Sequence, residues 1–100
     1  MPKIQIQYIE IKSNGIFAST IIPGATNLGI GFLKIRRTGD PKRDIVETKL
    51  GKNIGHSKNP NLFIKISRWK YYIFTTRTIY KGEELTLNHT ILPWKKIRQI

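Results

Sequence analysis

The chain sustains no long helical period. Its apolar residues come in short runs, led by isoleucine with Thr, Tyr, Phe and Trp behind it, and closed by turn signals. β-Branched and aromatic side chains suit a pleated, half-buried surface, so the expected class is mostly β, built of short strands, with at most one short helix. Ile4-Gln5-Ile6-Gln7-Tyr8 alternates apolar and polar residues, the period of a one-sided strand. Ile9 and Ile11 take the opposite parity, which puts a bulge or register change near Tyr8. Ser13-Asn14-Gly15 marks a turn, and a second strand runs from Ile16 to Ile22 until Pro23-Gly24 ends it. Leu28 to Ile35 reads as a third strand, weakened by Gly29 and Gly31. Thr38 to Asp44 reads as a loop, and Asp44 to Leu50 as one helical turn or a short strand. Gly51 to Asn61, rich in Gly, Asn, Ser and Pro, reads as irregular. Leu62–Ile66 and Tyr71–Thr76 flank Ser67-Arg68-Trp69-Lys70 as a hairpin. Strand alternation then sets Tyr72 and Phe74 on one face and Tyr71 and Ile73 on the other. Lys81-Gly82-Glu83-Glu84 turns the chain into Leu85-Thr86-Leu87.

One hundred residues suit a single domain, 1–100, around one core. Without cysteine there is no disulfide framework, thiolate nucleophile or Cys-based zinc site, and two distant histidines among few carboxylates argue against a metal. No apolar run approaches the roughly 18 residues of a membrane span. Met1-Pro2-Lys3 opens without a signal-peptide pattern, so a cytoplasmic protein is expected. Eighteen Lys and Arg against six Asp and Glu give a net charge of +12. That excess reads either as attraction to a polyanion such as nucleic acid or as a soluble basic surface. The basic residues are scattered and form no block of five or six.

Common catalytic patterns are absent: no Gly-x-Ser-x-Gly elbow, phosphate-binding loop or zinc-binding His pair occurs. The adjacent carboxylates Glu83 and Glu84 should point to opposite sides, unlike a glycosidase pair. Ser57 follows His56, but sequence adjacency is not a nucleophile–base hydrogen bond. What stands out is Gly55-His56-Ser57-Lys58-Asn59-Pro60-Asn61, a loop too polar to be a mere linker.

His56-Ser57-Lys58-Asn59-Pro60-Asn61 resembles the Asn-His-Ser-x-x-Pro-Asn signature of SET-domain protein lysine methyltransferases. Ser13-Asn14-Gly15-Ile16-Phe17-Ala18 resembles that family's early Gly-x-Gly-Val-Phe-Ala turn, and Ile22-Pro23-Gly24 the Ile-x-x-Gly after it. Thr78-Ile79-Tyr80-Lys81-Gly82-Glu83-Glu84-Leu85-Thr86 is close to the Ile-x-x-Gly-Glu-Glu-Leu-Thr run before the family's terminal Tyr. The four segments stand in the family's order, and the small size resembles the stripped-down SET proteins of viruses and phages.

The resemblance implies a SET-like β-clip of small curved sheets with a C-terminal pseudoknot. It implies S-adenosylmethionine on one face and a substrate lysine entering a channel from the other. The cofactor-side residues it implies are Asn14, Gly15, Ile16, Gly55, His56, Ser57 and Trp94. Tyr71, Tyr72 and Leu87 are the candidates for the lysine channel. Ser13 and Gly55 replace the family's first Gly and its Asn. His56 either offers main-chain groups to the adenine or packs in the knot, and Trp94 either covers the adenine or packs the tail. His89 stands where the family places its catalytic Tyr, either as an active-site group or as the mark of a decayed site. No metal is implied. The implied partner is a protein lysine in an acidic or neutral context, because a cationic tail would be repelled by the +12 chain. The alternative is a weakened or inactive SET-like module that contacts nucleic acid or a host assembly through its basic surface. A monomer and a homodimer both fit.

Overall fold

A computed structural model describes residues 8–13 and 15–92. Asn14, Trp94 and the strand expected over Ile4 to Gln7 lie outside the described residues. The strands are β1 (Ile9–Lys12), β2 (Gly15–Ala18), β3 (Asn27–Lys34), β4 (Ile45–Glu47), β5 (Gly55–His56), β6 (Leu62–Ser67), β7 (Lys70–Thr75) and β8 (Thr86–Leu87). They form three small sheets: the antiparallel hairpin β1-β2, a four-stranded antiparallel sheet in the order β4-β3-β7-β6, and the parallel pair β5-β8. Two single-turn helices, α1 (Pro41–Asp44) and α2 (Lys49–Asn53), join them, one more than expected, and a 3-10 turn spans His89–Ile91. The class is mostly β, as its residue usage implies. Among the described residues no helix is long and apolar enough to cross a membrane.

The glycines of β3 shape its pairing. Register shifts between Asn27 and Gly29 and between Ile30 and Phe32 break its ladder with β7, and Gly29 sits at φ +115°. Such bulges bend a strand and increase its twist, which curves the sheet over the core. The second strand is shorter than expected. It ends at Ala18, where Ser19 N closes the β1–β2 ladder on Tyr8 O at 2.8 Å, and Ile22 makes only a bridge to Ile79. Ile16, Ile22, Phe32, Ile73, Ile79 and Leu85 are fully buried and draw the three sheets onto one core. On β7, Ile73 and Thr75 point to that core and Tyr71 packs against it. Phe74, on the other face, stacks on Phe63 at 5.6 Å, so the expected alternation holds.

The segment 38–44, expected as a loop, is closed by its own polar groups. Asp40 caps α1 by accepting from Lys42 N at 3.0 Å, and Pro41 takes a first-turn position that needs no N–H. Asp44 accepts from Thr38 Oγ1 at 2.6 Å, Thr38 N at 3.0 Å and Gly39 N at 2.9 Å. The Thr38 hydroxyl above all, with these main-chain donors, holds the Asp44 carboxyl below the usual aspartate range, against the opposing effect of burial. A depressed folded value means that the unfolded chain binds more protons. The resulting stability is complete above the ordinary aspartate value, about pH 4, and is lost as pH falls through it towards the folded value. Thermal unfolding is therefore expected to show a larger fall in Tm between about pH 7 and pH 3 for wild type than for Asp44→Asn. Equal falls would contradict this role for Asp44.

The start of the expected irregular stretch is the end of α2. Thr48 caps this helix, accepting from Gly51 N at 3.2 Å, and its hydroxyl also reaches Ile30 O at 2.7 Å and Gly31 O at 3.0 Å. The cap therefore fastens α2 to β3, a long-range contact that local composition does not reveal. The chain leaves α2 through buried Ile54 directly into β5.

Candidate functional site

Residues 82–87 run between β2 and β5 and join the two. On one side Gly82 N donates to Ala18 O, Ala18 N to Glu83 O and Leu85 N to Ile16 O, all at 2.8–2.9 Å. On the other, Gly55 N donates to Leu85 O at 3.3 Å and Ser57 N to Leu87 O at 3.0 Å. Asn61, only 4% exposed, clamps the same segment from a third direction. Its Nδ2 donates to Glu84 O at 2.8 Å and its Oδ1 accepts from Thr86 N at 2.9 Å. The side-chain amide thus acts like a further stretch of strand, and the early turn, the polar loop and the late Glu-Glu-Leu-Thr run meet at one place.

Glu83 and Glu84 point to opposite sides, as expected. Glu83 pairs with Arg77 at 3.1 Å and accepts from Tyr80 N at 2.7 Å. Arg77 first, then that N–H, hold the Glu83 carboxyl below its usual range. Glu84 instead turns its carboxylate into the angle between β2 and β5. A Cβ at Gly15 would lie 2.7 Å from Glu84 Oε2, and one at Gly55 2.5 Å from the same oxygen. Gly15 also sits at φ +148°, a conformation that L side chains rarely adopt. Two glycines from distant parts of the chain therefore form a cradle around one exposed carboxylate.

β5 presents an open main-chain edge. Gly55 and Ser57 direct their N–H groups to residues 85 and 87, so alternation turns the N–H and C=O of His56 away from β8. The His56 imidazole is occupied: Nδ1 accepts from His89 N at 3.0 Å, which places the ring proton on Nε2. His89 begins the 3-10 turn, with Nε2 3.1 Å from Ile54 O, and a carbonyl can only accept, so this nitrogen carries a hydrogen. The two rings lie 5.4 Å apart at 46°. Ser57 Oγ accepts from Asn59 N at 3.0 Å, closing a turn.

Of the residues singled out in the sequence, Gly15, Ile16, Gly55, His56, Ser57, Leu87 and His89 gather around residues 84–89. Ile16 and Leu87 are buried supports there. Tyr71 and Tyr72 lie on β7 of the four-stranded sheet and face opposite sides, so at most one of them lines any single channel. Asn14 and Trp94 lie outside the described residues. Sequence reasoning missed two groups. Glu84 stood there only as half of a carboxylate pair and as a motif letter, and Asn61 only as a motif letter. The signal for Asn61 was an amide directly before an apolar strand, where a buried polar side chain needs partners.

Residues 35–90, more than half of the chain, match the SET domain family. The chain belongs to that family. Among solved structures it is similar to a Plasmodium falciparum protein named for a proposed histone methyltransferase role. The TM-score is 0.57, with 16% identity, covering 82% of this chain and 90% of that one. At that identity the likeness is one of fold. No curated protein matches the chain.

Proposed function

We propose that the chain is an S-adenosylmethionine-dependent protein-lysine N-methyltransferase, of the small type that the SET proteins of viruses and phages exemplify. The observation that carries this reading is the convergence of Gly15, Gly55 and Glu84 beside the open edge of β5. When bound, S-adenosylmethionine supplies an electrophilic methyl on a sulfonium, with an ammonium and an adenine for recognition. The residues present fit such a group. The two glycines leave room for the Glu84 carboxylate against the main chain, and that carboxylate suits the ligand's positive charge or its ribose hydroxyls. The turned-out N–H and C=O of His56 offer one donor and one acceptor to an adenine edge. Asn14 and Trp94 complete the cofactor side in this reading.

The lysine amine, with a pKa near ~10.4 in water, must lose its proton before it attacks, and an apolar path lowers that value. Tyr71 and Leu87 are the proposed walls of this path. Alignment of this amine with the methyl that S-adenosylmethionine would supply accounts for much of the acceleration. His89 orients the amine in this proposal, and its Nε2–H is already committed to Ile54 O. With a net charge of +12, the protein accepts lysines in acidic or neutral surroundings better than those of a basic tail.

The test is transfer of a radiolabelled methyl to an acidic lysine-containing protein and to a basic histone-tail peptide. Incorporation is expected in the acidic protein and is abolished by prior acetylation of its lysines. His89→Tyr is expected to raise turnover about tenfold, since a hydroxyl reaches farther than the tethered ring. A fall in turnover would give the imidazole its own role, and no incorporation with either protein would overturn the proposal.

A further inference from the structure

The hairpin joining β6 and β7 turns in two residues, Arg68 and Trp69, since Ser67 pairs with Lys70. Tight hairpins of this kind favour Gly or Asn where φ is positive. Here Arg68 takes φ +58°. A non-glycine residue in that region carries strain, and such strain clusters at functional positions. Its effect is to hold an exposed guanidinium beside an indole that is 50% exposed. Trp69 O accepts from Lys34 N at 2.8 Å, which fastens the hairpin tip to the end of β3.

The chain leaving β3 then continues as Ile35-Arg36-Arg37, and a cleft of about 880 Å³ opens between it and the hairpin tip. Lys34, Arg36, Arg37 and Arg68 line this cleft, with Trp69 as its aromatic wall and no carboxylate in its lining. Among the described residues, Arg36, Arg37 and Arg68 have no ion-pair partner. Of the two acids that follow in sequence, Asp40 accepts from Lys42 N in the cap of α1, and Asp44 turns its carboxylate to Thr38 and Gly39. Four cations around one exposed indole match a phosphate chain with an unstacked base, because cations track the backbone and an aromatic face takes a base of any sequence. Duplex DNA offers no free base face.

We propose that this cleft is a binding site for single-stranded nucleic acid, separate from the β2–β5 cradle and independent of its methyl-transfer role. The backbone lies along Lys34, Arg36, Arg37 and Arg68, and one base stacks on Trp69.

The test is fluorescence anisotropy with a labelled oligothymidylate on the full chain, with double-stranded DNA and poly-glutamate as competitors. The logarithm of the association constant is expected to fall against log salt with a slope of about −2 to −3, the value for about four phosphate contacts on a single strand. Trp69→Ala is expected to weaken binding about tenfold. Arg36→Ala/Arg37→Ala is expected to weaken it more than Lys52→Ala/Lys81→Ala, which removes equal charge outside the cleft. All of these residues are exposed, so the variants should keep the wild-type Tm. Equal losses in the two double variants, or no effect of Trp69→Ala, would overturn the proposal. So would poly-glutamate competing as well as the oligonucleotide, which would point to an acidic protein instead.

Discussion

Gly51→Ala should lower stability by about 3 kcal/mol or more, even though alanine is the better helix former. The propensity gain is about 1 kcal/mol at a helical position. Against it stands the close approach of α2 to β3. A Cβ at residue 51 would meet the Gly31 carbonyl oxygen head on, and would lie 2.8 Å from its carbon and 2.9 Å from the Phe32 ring. Gly31 O cannot move aside without losing the donations it accepts from Thr48 N and Thr48 Oγ1, both at 3.0 Å. Backbone would have to separate from backbone, and the cap of α2 would go with it. Urea unfolding of the variant is expected to show a much reduced midpoint with an unchanged slope. A neutral or stabilised Gly51→Ala would contradict the packing of α2 on β3.

Asn61→Ala should cost about 2–4 kcal/mol, because it leaves Thr86 N and Glu84 O without their partner in a place that water reaches poorly. For a domain of this size that is a fall in Tm of about 10 °C or more. The bonds span 23 and 25 residues, so their loss loosens the junction between the polar loop and residues 84–86 rather than one local turn. Asn61→Asp should not rescue it. A carboxylate still accepts from Thr86 N, but its second oxygen faces the Glu84 carbonyl without a hydrogen to donate. Both variants should therefore also lose affinity for S-adenosylmethionine, because the cradle of Gly15, Gly55 and Glu84 hangs on this junction. Wild-type Tm in Asn61→Ala would remove Asn61 from that role.

Elements whose cause is local were legible in the sequence. The β6–β7 hairpin followed from two alternating apolar runs around a four-residue turn, and the divergence of Glu83 and Glu84 followed from strand parity. Elements whose cause is distant were not. α2 and β5 sit in a stretch of Gly, Asn and Ser that favours no regular structure, and they form because Thr48 reaches β3 and residues 85–87 supply a parallel neighbour. The strand expected from Ile16 to Ile22 ends after Ala18 because the ladder with β1 closes at Tyr8 and Ser19, and Ile22 pairs with Ile79 instead. For the site, the motif segments and their order were readable, and so was His89 as an unusual residue in its place. The cradle was not, because only the fold brings Gly15, Gly55 and Glu84 to a single point across 69 residues of sequence. The net charge of +12 also divides in the structure: part of it gathers with Trp69 in one cleft, away from the cradle.

Isothermal titration calorimetry of the wild-type chain with S-adenosylmethionine, and with its demethylated product, tests the central claim most directly. Saturable one-to-one binding in the micromolar range is expected for both ligands, weakened in Asn61→Ala. No heat of binding from either ligand at millimolar concentration, with a chain that melts cooperatively, would contradict it.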